Sequence, residues 1–256
     1  MSDKQNLLTR RQSFGLAGLT GAAFVAGCSR GSGGDAGAPA TTSAAAAGET
    51  PSCVLVPEVT EGPFFLDERL NRSDVRANSS GGGVRPGIPL RLKITVVDVG
   101  AAGACTPYEG AAVDIWHTDA EGVYSGVEDP GNADGAATDF LRGYQVTNAQ
   151  GAATFKTIFP GWYQGRTIHI HVKVRVFDGS QQTFEYTSQL FFTETTINQV
   201  YAREPYSSNG EPDTPNNSDG IYGEMGGTAL VRMSGSAAAG YSGAVTLGIS
   251  DLPENG

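Results

Sequence analysis

The chain has 256 residues, with 17 Lys and Arg against 27 Asp and Glu and a formal net charge of −10. That acidic balance disfavours nucleic acid and anionic lipid as general partners, since both need clustered Lys and Arg. Charged residues are only 17% of the chain while Gly supplies 36 positions and Pro 13, a composition that suits turn-rich β structure rather than a helical bundle, and no apolar run reaches the ~18 residues of a spanning helix.

At the N-terminus, Arg10-Arg11 lead into the short apolar stretch Phe14–Gly27, so residues 1–27 read as an export signal. The stretch ends Val25-Ala26-Gly27-Cys28, which resembles a bacterial lipobox, and the paired arginines resemble a twin-arginine signal. These resemblances imply lipidation of Cys28, a membrane anchor at the N-terminus and a place in the cell envelope outside the cytoplasm. Residues 28–51 are nearly all Gly, Ala, Ser and Thr, with too little apolar surface to offset ordering entropy, and read as a flexible tether. Cys53 and Cys105 then remain as an even pair in an oxidising compartment, and a disulfide between them is expected, two buried thiols being the alternative.

From residue 52 to 256 the pattern is one of short strands. Leu90–Val96 alternates apolar and polar residues, as a half-buried strand does. Ala111–Trp116, Gly143–Thr147, Ala153–Ile158, Gln189–Thr193, Ala229–Met233 and Ala244–Ile249 are further runs, with Gly, Asn, Asp and Pro between them. The expected fold is all-β, a β-sandwich of mostly antiparallel strands with long loops and no N-terminal helical domain. Asn198–Val200 is expected in one short helix. Arg203–Gly227 is rich in Pro, Gly and Asn and is expected as a long loop, lid or interface segment.

Thr167–Phe177 is the cleanest strand, with Ile168, Ile170, Val172, Val174 and Val176 on one face. On the other lie His169, His171, Lys173 and Arg175, so two of the three histidines in the chain share one side, with backbones roughly 6.5–7 Å apart. Two imidazoles so placed can converge on one metal ion. No further His, Cys or carboxylate follows in this strand at zinc-site spacing. The pair is preceded instead by Tyr163 and Arg166 in Pro160-Gly161-Trp162-Tyr163-Gln164-Gly165-Arg166.

Tyr163, Arg166, His169 and His171, in that order, resemble the metal segment of the intradiol ring-cleavage dioxygenases. Asp114–Ser125, which contains Tyr124, resembles the family's other ligand segment. Glu61-Gly62-Pro63-Phe64-Phe65 resembles its N-terminal signature, and Ser188–Phe192 the strand that carries a pocket glutamine, Gln189. The resemblance implies non-haem Fe(III) held by Tyr124, Tyr163, His169 and His171. It further implies Arg166 as a charge-stabilising group, Gln189 as a residue that supports the metal ligands or orients the substrate, and a catechol-type substrate opened with O2 to a cis,cis-muconate-type acid. Hard ferric iron favours anionic oxygen donors with imidazoles completing the set. The compact core is similar to protocatechuate-cleaving subunits, and monomer and homodimer are both open.

His117 reads as structural or pocket-edge. Glu61 lies near the pocket or anchors the Gly62-Pro63 turn, and Asp119 and Glu121 read as solvated turn residues. Tyr108, Tyr144, Trp162 and Tyr201 read as core or pocket walls. Two other functions suit the same residues: a surface-anchored β-sandwich that binds aromatic or polysaccharide ligands without turnover, and a zinc or copper enzyme built on the histidine pair.

Overall fold

The computed structural model describes residues 54–100, 103–128 and 137–254. The stretches read as export signal and tether, with Cys28 and Cys53, lie outside the described residues. Among the described residues nine strands form two sheets. In the first, β1 (Pro89–Val99) pairs antiparallel with β2 (Cys105–Pro107) and β5 (Ala152–Ile158) on one side and parallel with β9 (Gly240–Ile249) on the other. Strand β8 (Arg232–Ser236) extends the sheet beyond β9. The second sheet is antiparallel, in the order β4 (Arg142–Val146), β3 (Ala112–Trp116), β6 (His169–Asp178) and β7 (Gln181–Phe191). Cys105, at the start of β2, is disulfide-bonded.

Alternation sets the core. Leu90, Leu92, Ile94 and Val96 of β1 face inward, as do Val113 and Ile115 of β3 and Ile170, Val172 and Val174 of β6, and all join one buried cluster. A shift of one residue in the β6 register would turn this set outward, so burial fixes the register that also aligns the histidines.

The expectation of an all-β chain is corrected by two α-helices, which make the fold mixed α/β. After β7, Thr193 accepts a hydrogen bond from Thr196 N and caps α1 (Glu194–Tyr201), whose buried face is Thr196, Ile197, Val200 and Tyr201. Asp219 caps α2 (Gly220–Met225), which ends at Gly226 in the left-handed conformation. The stretch expected as a bare loop therefore holds α2 and two 3-10 turns, Tyr206–Asn209 and Asn216–Ser218. The short helix expected at Asn198–Val200 falls within α1, whereas α2, only six residues long, is governed by its caps and its docking and escapes periodicity over a longer window.

The hydrophilic face of β6 is buried too. His169, His171, Lys173 and Arg175 are each 5% exposed or less. The segment around Glu61–Asp67 lies against this face: Lys173 sits 4.3 Å over the Phe65 ring and pairs with Glu61 and Glu185. Arg175 bridges Asp114 (2.8 Å) and Asp67 (3.0 Å). Burial pushes the Asp114 carboxyl up to about 6, with Arg175 pulling the other way. Replacing Arg175 by Met strands Asp114 in a buried position, and should cost about 3–5 kcal/mol. Urea unfolding should show a lower midpoint with an unchanged slope; a midpoint within error of wild type would count against this pair as a structural element.

Candidate metal centre

Register places a row of four side chains across the second sheet: Arg142, Trp116, His171 and Gln189 are direct neighbours on β4, β3, β6 and β7. Trp116 stacks on the His171 ring at 4.7 Å and 8°, which fixes the imidazole plane. His169 lies two residues along the same face. Its Nδ1 is 2.6 Å from the Thr167 carbonyl, so that nitrogen carries the proton and Nε2 keeps its lone pair, the tautomer a metal requires. The two Nε2 atoms face one another at 3.2 Å.

Two loops bring phenols to the same point. Tyr163, after β5, places its hydroxyl 3.3 Å from His169 Nε2. Tyr124 follows β3, with its ring centroid 5.7 Å from that of Tyr163 and 6.1 Å from that of His171. Close backbone approach makes this possible. A Cβ on Gly161 would lie 2.2 Å from the Asp119 carbonyl oxygen, and one on Gly122, at φ +84°, would lie 2.1 Å from the Trp162 carbonyl oxygen. Only glycine fits at either place. Gly161 N then donates to the Asp119 carbonyl at 2.9 Å, and Thr118 Oγ1 to the Gly161 carbonyl at 2.7 Å.

Asp119, read from sequence as a solvated turn residue, is 2% exposed. Its Oδ1 accepts from Glu121 N and Val123 N at 3.0 Å each, and its other oxygen pairs with Arg85. It shapes the turn that delivers Tyr124. His117 is also buried, bonded through Nδ1 to the Thr118 carbonyl and through Nε2 to Thr157, both at 2.7 Å. Both ring nitrogens are engaged, so the structural role is the one the contacts support. Phe64 stacks on Tyr124 at 4.3 Å and meets Tyr163 edge-on at 6.0 Å, so the N-terminal segment roofs the two phenols.

Arg166 lies beside the cluster. Its Nη2 donates to Gln189 Oε1 at 2.6 Å and its Nε to Asp219 Oδ2 at 2.8 Å. Arg142, buried at the other end of the row, donates through Nε and Nη2 to Ser125, the neighbour of Tyr124. Sequence reasoning missed Arg142 and Asp219, and named Phe64 only within the N-terminal signature. An Asp-Gly helix start was the available signal for Asp219.

Burial sets the electrostatics. It raises Tyr124 well above the usual phenol value and raises Tyr163 as well, though Arg166 pulls Tyr163 down. It also drives His169 down to about 3 and His171 well below its ordinary value. Without a cation, all four groups are therefore neutral at pH 7. Among the described residues no three His, Cys, Asp or Glu side chains gather as a metal site; two of the four donors here are phenols. Two imidazole lone pairs and two ionisable phenols suit a hard, highly charged ion, whose charge would drive both phenols to phenolates.

The histidines also couple pH to stability. Burial holds His117 down to about 4 and His169 to about 3. Below about pH 6.5 the unfolded chain takes up protons that the fold refuses, so stability falls as pH falls. The thermal midpoint of the metal-free protein should drop between pH 7 and pH 5, with the raised Asp114 carboxyl at about 6 offsetting part of the fall because the fold takes up that proton first. A flat midpoint would mean the rings are not held neutral.

The family model described as "Dioxygenase" matches residues 60–196. Among solved structures, the intradiol ring-cleavage dioxygenase from Tetranychus urticae is 33% identical with a TM-score of 0.65, over 79% of this chain and 98% of that one. The dioxygenase domain of a dioxygenase carbohydrate-binding protein fusion from Streptomyces sp. SirexAA-E is 28% identical with a TM-score of 0.52, over 77% of this chain and 99% of that one. Chlorocatechol 1,2-dioxygenase of Pseudomonas sp. (strain P51) is 33% identical over 87 residues, 27% of this chain and 33% of that protein. The chain thus spans about a third of the length of the curated relatives it matches. Matched over more than half its own length, and over nearly all of the Tetranychus structure, the chain belongs to the intradiol ring-cleavage dioxygenase family.

Proposed function

We propose that this protein is a non-haem Fe(III)-dependent intradiol dioxygenase that opens catechol-type diols with O2 to cis,cis-muconate-type dicarboxylic acids. The observation that carries this reading is the convergence of Tyr124, Tyr163, His169 and His171 in a chain of this family. Those four residues would hold the iron. Bound there, ferric iron would supply Lewis acidity and a redox partner for ring and oxygen chemistry.

The chain's own residues have separable tasks. Tyr124, 6% exposed and stacked under Phe64, is suited to stay in place. Tyr163 is less enclosed, and Arg166 beside it favours its phenolate, so its Oη is the atom suited to take a proton from a substrate hydroxyl. Arg166, aimed by Gln189 and Asp219, stabilises negative charge as it develops on the ring. Trp116, Phe64 and Phe65 exclude water around the histidines. Export of the chain, lipidation of Cys28 and a Cys53–Cys105 disulfide belong to the same proposal.

The direct test is oxygen uptake by iron-loaded protein on catechol, protocatechuate and halogenated catechols, with the ring-opened acid identified by mass. A tyrosinate–iron(III) charge-transfer band in the visible should accompany it. A colourless protein that binds aromatic or polysaccharide ligands without oxygen uptake would favour the binding module instead. Tyr163→Phe should alter the band, and an unchanged spectrum would remove Tyr163 from the ligand set. His169→Ala and His171→Ala should each lose iron by elemental analysis; full retention would count against them. Arg166→Ala should keep iron and the visible band while turnover falls by about 10²–10³. Undiminished turnover would sink that role.

A further inference from the structure

We infer that Asp219 is a positioning residue for Arg166, and that the segment Asp213–Asp219 exists to hold the stretch Gly165–Thr167 between Tyr163 and His169. The inference rests on the dioxygenase reading above and deepens it.

Asp219 lies more than fifty positions beyond Arg166, and its side chain is only 1% exposed. One carboxylate oxygen accepts from Arg166 Nε at 2.8 Å and from Thr167 N at 3.0 Å; the other accepts from Tyr222 N at 2.9 Å. The carboxylate is thus fixed by the start of α2 before it meets the guanidinium. Burial pushes Asp219 up, but Arg166 and the two backbone amides hold it below the usual carboxylate value. Gln189 accepts from Nη2 of the same guanidinium at 2.6 Å. A planar fork held through two of its nitrogens has little freedom to turn about its stem, so its remaining N–H groups point in one direction.

The neighbouring contacts tie down backbone rather than the guanidinium. Asp213 accepts from Gly165 N at 3.1 Å, and Asn216 Oδ1 accepts from Thr167 Oγ1 at 2.6 Å. Asn216 is itself anchored, donating through Nδ2 to the Phe192 carbonyl at 2.8 Å and through its backbone N to Glu194 at 2.7 Å. Asp219 alone among these three contacts Arg166. A paired guanidinium also carries less net charge into the site than a bare one, so the carboxylate bears on strength as well as direction.

The test is a double-mutant cycle on the iron-loaded protein, with Asp219→Asn and Asp219→Ala each made in wild-type and Arg166→Ala backgrounds. Asp219→Asn keeps an oxygen for the α2 cap, which guards against loss of the fold. In the wild-type background kcat should fall by about 10- to 100-fold, the scale of misplacing a reacting group by an ångström, with KM changed far less. In the Arg166→Ala background the same changes should cost less than about twofold, because the residue acted upon is gone. Asp213→Ala releases the Gly165 amide but leaves the Asp219–Arg166 contact in place, so its kcat loss should be smaller than that of Asp219→Ala. A second readout needs no turnover: the Arg166 Nε–H cross-peak in a 15N correlation spectrum, identified by its loss in Arg166→Ala, should shift in both Asp219 variants.

Equal losses in the two backgrounds, an Asp213→Ala loss as large as that of Asp219→Ala, or an unmoved Arg166 resonance would each overturn the assignment. An active wild type with additive losses overturns Asp219 alone. A wild type without oxygen uptake overturns the dioxygenase reading and the positioning role with it, even where the resonance shifts.

Discussion

One buried row on β6 governs the rest. His169, His171, Lys173 and Arg175 alternate with core residues, so the strand cannot bury its apolar face without fixing these four on the other. The second face is then covered as well, and every polar group on it needs a partner. Lys173 meets Glu61 and Glu185, and Arg175 meets Asp114 and Asp67. Among the described residues the two histidines meet no carboxylate; they meet each other and two phenols. Structural charges and chemical donors thus share one strand, and what each faces separates them.

The meeting of the two phenols with the histidines depends on how closely two loops can approach. Gly122 and Gly161 let the backbone after β3 rest against the backbone after β5, at distances that a single Cβ would forbid. Asp119 then holds the tip by accepting from two backbone amides and pairing with Arg85. Loops positioned by a rigid scaffold often carry functional residues: Tyr163 stands on such a loop beside Arg166, while both histidines stand on β6.

The late part of the chain does more than close the sheet. Its caps at Thr193 and Asp219 build the helices that correct an all-β reading, and the second cap is the same carboxylate that grips Arg166. Stability and site geometry are therefore linked through one side chain. A change at Asp219 bears on both, which is why a background lacking Arg166 is needed to separate them.

How much of this was legible in the sequence follows from the range of each interaction. Period-two alternation is local, so Thr167–Phe177, its two faces and the paired histidines were readable, as was β1. The ordered motifs around Tyr124, Tyr163 and Gln189 pointed to a family and to a candidate ligand set. Contacts across tens of residues were not readable. Burial of Asp119, the Arg142–Trp116–His171–Gln189 row, the roof made by Phe64 and the Asp219–Arg166 pair exist only once register and loop approach are fixed. The sequence alone determined which donors were available and on which strand face they stand. Tertiary structure decided which of them meet, because only folding removes the water that would otherwise satisfy each one separately.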